Sequence, residues 1–146
     1  ASDVYKRQSK NDPAYTRIET TLMRPFDGYP DVKVPRKGER IFELRVYESH
    51  NEAKAALKVE MFNSGEFDIF ANVGLDSVFC GEALSGPNLP NLTYLVAYKD
   101  MEERKAAWGR FSKDPDWQKL KGVERYKDTV SKIHQTYLIP AAYSQI

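Results

Sequence analysis

Ile41-Phe42-Glu43-Leu44-Arg45-Val46-Tyr47 is the stretch on which the fold turns. Its alternation puts Phe42, Leu44 and Val46 on one side of a strand and Glu43, Arg45 and Tyr47 on the other, because successive side chains of an extended chain point to opposite faces. The apolar side is expected to be covered, and the other to face something more polar. Ser49-His50-Asn51-Glu52 follows with the spacing of a capping box, in which the serine hydroxyl takes one free amide and Glu52 reaches back to another. The helix predicted behind it carries Ala53, Leu57, Met61, Phe62, Ile69, Phe70 and Val73 and stops at Gly74-Leu75, a glycine followed by an apolar residue. Gly65 is a soft point at which that helix is expected to bend.

Leu75 to Leu84 and Leu92 to Tyr98 read as two strands joined by the wide turn Ser85-Gly86-Pro87-Asn88-Leu89-Pro90-Asn91. Asp100-Met101-Glu102-Glu103 caps a second helix with Ala107, Trp108 and Phe111 facing inward. Asp114-Pro115 restarts a short one that presents Trp117 and Leu120 and stops at Lys121-Gly122. A last strand is expected from Thr129 to Ile139. The order is β-α-β-β-α-β, an α+β, ferredoxin-like arrangement with two helices on one face of a four-stranded sheet. The other face stays open, with Tyr47, Tyr94 or Tyr98, and Tyr137 expected on it. An exposed surface of that kind is unusual for a monomer and calls for a cover.

Ahead of the strand the chain has a different character. Asp3-Val4-Tyr5-Lys6-Arg7-Gln8 resembles the in-frame translation of a transposon adapter, so residues 1–8 are read as an artefact and left out of fold reasoning. Tyr15 to Pro25 superposes on Val130 to Pro140 at one offset of 115, which aligns Ile18 with Ile133, Thr21 with Thr136, Met23 with Leu138, Pro25 with Pro140 and Arg17 with Lys132. A shared offset is the mark of an internal repeat. Residues 9–26 are accordingly read as the last strand of a truncated preceding sister domain, residues 27–40 as a linker rich in Gly and Pro, and residues 41–146 as the complete domain. The orphan strand is expected to add to a sheet edge of its own chain or of a partner's.

The bulk numbers bound the function. The 146 residues are one domain's worth, and 41% hydrophobic content is enough for a core without staples. A net charge of +1, with acidic and basic residues interspersed, argues against nucleic acid, whose binders gather basic charge on one face. RNA-recognition domains share this element order, but they need aromatic and basic residues with glycine on the central strands, and Leu92 to Tyr98 has neither glycine nor arginine. The one cysteine, Cys80, sits in an apolar run and reads as a small buried hydrophobe. No run approaches the ~20 apolar residues of a membrane span.

Three blocks together resemble the NIPSNAP family. They are Phe42-Glu43-Leu44-Arg45-Val46-Tyr47, Leu92-Thr93-Tyr94, and Met101-Glu102-Glu103-Arg104 running through Trp108 and Phe111 to Asp114-Pro115-Asp116-Trp117. The resemblance implies a dimeric α+β barrel, in which two ferredoxin-like sheets close face to face, and tandem copies in many bacterial members. It carries over no catalytic residue, and no cofactor is expected.

Glu43, Arg45, Tyr47, Tyr94, His134 and Tyr137 are the candidate barrel-interior pocket, with Gln135 as the alternative to His134. A carboxylate, a guanidinium, phenols and an imidazole around a cavity bind a polar ligand or handle a proton. The plainer reading is that Glu43 and Arg45, two apart on one strand, pair with each other. Two isolated histidines, His50 and His134, make no metal site. The expected function is a small-molecule-binding or protein-interaction module that forms a homodimer through the open sheet face. The alternative is a cofactor-free or haem-handling monooxygenase-type enzyme, argued from fold analogy.

Overall fold

The computed structural model describes residue 13 and residues 15–146, so the expectation for residues 1–8, and part of that for 9–26, lies outside the described residues. Its strands are β1 (Leu22–Pro25), β2 (Ile41–Glu48), β3 (Asp76–Ser85), β4 (Asn91–Tyr98) and β5 (Lys132–Leu138). Its helices are α1 (Glu52–Met61), α2 (Phe67–Val73), α3 (Met101–Lys113) and α4 (Pro115–Lys121). The strands form one antiparallel sheet in the order β1-β3-β4-β2-β5. From β2 onward this is the ferredoxin-like α+β arrangement of the dimeric α+β barrel class, with β1 added outside it.

Most punctuation falls where local chemistry directs it. Asp100 accepts from the Glu103 amide at 2.8 Å, and Asp114 from those of Asp116 and Trp117 at 2.9 and 3.0 Å. Gly74 closes α2 in the left-handed conformation at φ 77°, with Leu75 N–H donating to Phe70 O at 2.9 Å, because only glycine adopts that backbone without a Cβ penalty. The first helix differs from expectation at its start. Asn51, not Ser49, is the cap, its side chain accepting from Lys54 N–H at 2.9 Å. Ser49 instead donates its hydroxyl to Thr129 O at 2.7 Å and ties the end of β2 to the approach of β5. The long helix is also broken: Phe62–Glu66 winds as a π-turn with Gly65 at φ 147°, so α1 and α2 are separate pieces.

The helices cover one face of the sheet, and an aromatic core lies between the layers. Phe62, Ile69, Phe70 and Val73 meet Tyr94 and Val96 of β4 and Ala107 and Phe111 of α3. Phe70 and Phe111 are edge to face at 5.2 Å, and Phe111 lies 4.4 Å from Trp117 on α4, separations at which aromatic quadrupoles attract. A second cluster, Phe42, Val78, Leu95 and Ala97 with Leu44 and Phe79 against it, lies on the face away from the helices.

The segment before β2 is docked onto this body. β1 pairs with the outer edge of β3, Met23 opposite Ala83 and Pro25 opposite Gly81. Phe26 then enters the core, 5.6 Å from Phe62 and 5.9 Å from Phe67, and Tyr29 stacks 5.2 Å from Phe67 while donating its hydroxyl to Ser77 O. Lys33 N–H donates to Val78 O at 2.8 Å. Part of the stretch read as a linker therefore packs on the domain. Its glycines and prolines mark turns, but two aromatic side chains next to an unpaired strand edge bury more readily than they stay in water.

Candidate functional site

Strand alternation places Glu43, Arg45 and Tyr47 side by side on β2, as expected, but on the face beneath the helices rather than on the open face. The register carries neighbours to the same side: Tyr94 lies opposite Arg45 on β4, and on β5 Tyr137 faces Glu43 and Gln135 faces Arg45. His134 stands opposite Val46 on the other face, where its Nε2 pairs with the Glu48 carboxylate. Of the six predicted residues, five share a face with one another and His134 does not. Gln135, the alternative, is the β5 residue that meets the cluster; with its amide turned so that the oxygen faces the guanidinium, it accepts from Arg45 Nη1 at 2.6 Å and Nη2 at 3.1 Å.

The reason for the reversed face lies on α3. Arg104 and Trp108, one helical turn apart, both reach down to the sheet. Arg104 grips Glu43 with two bonds, Nε at 2.9 Å and Nη2 at 2.8 Å, and Trp108 Nε1 donates to the same carboxylate at 3.0 Å. Arg45 Nη1 adds a bond at 2.7 Å and the Tyr98 hydroxyl one at 3.2 Å. Glu43 is 0% exposed, and five donors converge on it. A buried carboxylate is tolerated only when paired and hydrogen-bonded in this way. With that partner set supplied by the helix layer, the apolar residues of β2 are left for the opposite face.

Arg45 is the hub of the next layer. Its guanidinium lies 4.3 Å over the Trp108 ring, and its Nε and Nη2 donate to the Tyr47 hydroxyl at 3.1 and 2.9 Å. Tyr94 donates its own hydroxyl to Tyr47 at 2.7 Å. A second buried pair stands nearby: Lys58 on α1 reaches Glu66 in the π-turn at 2.8 Å, and Lys58 also lies 4.8 Å over the Phe62 ring. Glu66 is close enough to Arg45 to feel its charge. The interior thus holds Arg45, Arg104 and Lys58 against Glu43 and Glu66.

Electrostatics sorts the titrating groups. Burial alone would push the Glu43 carboxyl up, but Arg104, Arg45 and the Trp108 indole outweigh it and hold the group below the usual carboxylate range. Glu66 goes the other way, because burial outweighs its single lysine partner and raises it. Burial likewise raises the Tyr47 and Tyr94 phenols and drives the Cys80 thiol up to about 12. Glu43 is therefore an ionised, fully engaged acceptor, and the phenols are neutral near pH 7. Such an arrangement holds charge in place and presents no unpaired base.

Sequence reading missed Arg104, Trp108, Lys58 and Glu66 as members of this cluster, and gave Tyr98 only as the alternative to Tyr94, whereas both belong to it. The available signal was a charge on an apolar helix stripe: Lys58 lies on the same face of α1 as buried Ala55 and Met61. Asn91, which heads a glycosylation pattern, spends its amide on Pro87 O and Asn88 O at 3.1 and 3.0 Å. Grooves of about 580 and 450 Å³ open elsewhere, the first beside Gly38 to Ile41 and Ile139 to Ala142, the second between Tyr29 and α2. Neither is lined by Glu43, Arg45, Tyr47 or Tyr94. Among the described residues no group of three or more His, Cys, Asp or Glu side chains is placed to hold a metal, and no helix is long and apolar enough to cross a membrane.

Comparison with known proteins agrees with this architecture. Among solved structures, a NIPSNAP-like domain protein from Burkholderia xenovorans superposes with a TM-score of 0.66 at 19% identity, covering 74% of this chain and 90% of its own. A NIPSNAP family protein from Agrobacterium tumefaciens gives 0.65 at 17%, covering 74% and 99%. A candidate monooxygenase from Lactobacillus acidophilus gives 0.50 at 13%, covering 83% of this chain and 49% of that one. At these identities the likeness is one of fold. No curated protein matches the sequence. The family model of NIPSNAP matches residues 42–145, from the second residue of β2 to the C-terminal tail, and on that match the chain belongs to the NIPSNAP family.

Proposed function

We propose that this NIPSNAP domain is an interaction module that pairs through its open sheet face with a second sheet of the same kind. The observation that carries the reading is the reversal of the β2 faces. The polar cluster is sealed under the helices, so the face without helices is apolar: Phe42 and Leu95 are buried in it, and Leu44, Val46 and Phe79 stand half-buried around them. An apolar sheet face flanked by polar residues is the surface that two such layers bury against each other. The Glu43–Arg45–Arg104 cluster then serves as a rigid support that sets the helix layer on the sheet. Light scattering at micromolar concentration tests this: a dimer that Leu44→Asp converts to monomer supports it, and a monomer in the unsubstituted chain overturns it.

A second reading, ligand binding by Glu43, Arg45, Tyr47, Tyr94 and Tyr137, is favoured by one observation. Tyr137 is 47% exposed, and Arg104, whose side chain is 18% exposed, lies 5.2 Å over its ring. A small polar ligand would enter past it. Oxygenase chemistry on this fold would show as a flavin or haem absorption shift on titration, with loss of turnover in Arg45→Ala.

A further inference from the structure

After β5 the chain runs outward through Ile139, 85% exposed, and turns where Ser144 N–H donates to Ala141 O at 2.9 Å. The turn leaves Tyr143 90% exposed and sends the tail back toward the start of β2. There Ile146 packs against the cluster of Phe42, Val78, Leu95 and Ala97 on the face without helices. The Ile146 carbonyl accepts twice, from Arg40 Nη2 at 2.8 Å and from Ser144 Oγ at 2.6 Å. Arg40 is itself fixed, its Nη1 donating to Gly38 O at 2.9 Å and its guanidinium lying 5.8 Å over the Phe42 ring.

The attachment is narrow. Ala141, Ala142, Tyr143 and Gln145 are exposed, while Ser144 and Ile146 are half-buried. Between the tail and the start of β2 the groove of about 580 Å³ stays open, lined by Arg40, Ile41 and Lys99 and by Ile139, Pro140 and Ala142. A segment tied down by one aliphatic side chain and a few hydrogen bonds opens at little cost, because it buries few apolar contacts. Yet its anchor occupies the face on which a second sheet would lie. Two sheets packed face to face stand about 10 Å apart, which leaves room for their interdigitated side chains and none for a chain between them.

We propose that the tail anchored by Ile146 is a built-in competitor for the pairing face: docked, it covers the end of that face at the start of β2, and a second copy of this chain must lift it off to pair. The proposal rests on the reading that the face without helices pairs with a second sheet, and it adds what regulates that pairing. The tail is tethered to the face it covers, so its effective concentration there is on the order of millimolar and does not change on dilution. A second copy is present only at its concentration in solution. The tail therefore holds the face when the protein is dilute and yields as the protein accumulates. Both copies have to open, so the closed fraction of the tail weakens the dimer once for each protomer.

The test compares the dimer dissociation constants of the full chain, Ile146→Gly and Tyr143→Gly, measured by sedimentation velocity on dilution from micromolar to nanomolar concentration. Ile146→Gly removes the anchor. Tyr143→Gly removes an apolar side chain that stands in water on the same tail, and so controls for a looser backbone. Both positions lie outside every strand and helix, and circular dichroism checks that the fold is kept. A tail closed in about two copies of three weakens the dimer roughly ninefold, since each protomer contributes a factor of about three. The expected result is therefore a dissociation constant lowered several-fold by Ile146→Gly and left near the unsubstituted value by Tyr143→Gly. A dimer that Ile146→Gly leaves unchanged or weakens, or that both substitutions tighten equally, overturns the competing tail and leaves face-to-face pairing standing. Three chains that all stay monomeric at micromolar concentration overturn both.

Discussion

Glu43→Gln is the substitution that asks most of the buried cluster. It keeps the shape of the side chain and removes its charge. In the native arrangement one carboxylate oxygen accepts from Arg45 Nη1 and Arg104 Nη2, and the other from Arg104 Nε, Trp108 Nε1 and Tyr98. A glutamine must turn an NH₂ toward one of these sets, where it meets N–H donors and at best the Tyr98 hydroxyl as an acceptor, and two guanidinium groups lose their shared counter-charge. Breaking a buried pair by removing one partner costs about 3–5 kcal/mol. Against a typical domain stability of ~5–15 kcal/mol, that is a large fraction. At roughly 2–4 °C per kcal/mol for a chain of this size, the melting temperature should fall by roughly 6–20 °C. Urea unfolding followed by circular dichroism and by tryptophan emission measures the loss, with Glu82→Gln as the surface comparison. Glu82 pairs with Arg24 in a half-exposed bridge, a kind worth about 0–1 kcal/mol. The acid limb supplies a second check. Glu43 has a depressed folded pKa, so its contribution is fully present above the unfolded carboxylate value and is lost as pH falls through the folded one. Glu43→Gln should flatten that limb. A loss below about 1 kcal/mol would refute the account of Glu43 as the electrostatic keystone of the layer contact.

Glu66 should behave with the opposite sign. Its folded pKa is raised, so stability falls as pH rises from the unfolded carboxylate value through the folded one, and Glu66→Gln should remove that slope in a pH series of unfolding midpoints. Lys58→Met should cost more than the double change Lys58→Met/Glu66→Gln, because the single change leaves a carboxyl buried without its partner; equal costs in a double-mutant cycle would contradict this. Cys80, buried with a thiol pushed up to about 12, should resist a thiol reagent at neutral pH in the folded chain and react only in denaturant. Gly74→Ala should cost about 1 kcal/mol, since φ 77° strains any residue with a Cβ; an unchanged midpoint would count against the helix stop described above.

Local sequence determined more of this protein than its length of contact would suggest. Alternation in Ile41 to Tyr47 set which β2 residues share a face, Asp100 and Asp114 set two helix starts, and Gly74 set a stop. Each is decided within a few residues, by strand geometry, by amides that need an acceptor, or by a backbone angle only glycine takes cheaply. Asn51 displaced Ser49 as a cap because Thr129, far along the chain, offered the serine a buried carbonyl. The same limit governed the candidate site. Whether Glu43 looked toward helices or toward open space depended on Arg104 and Trp108, 61 and 65 residues away. Whether His134 or Gln135 joined it depended on the register of β5 against β2. Period-2 patterning cannot tell the two faces of a strand apart when both are buried, one by a helix layer and one among apolar neighbours. Tertiary structure settled it through charge: a carboxylate leaves water only where enough donors meet it, and those donors stand on α3.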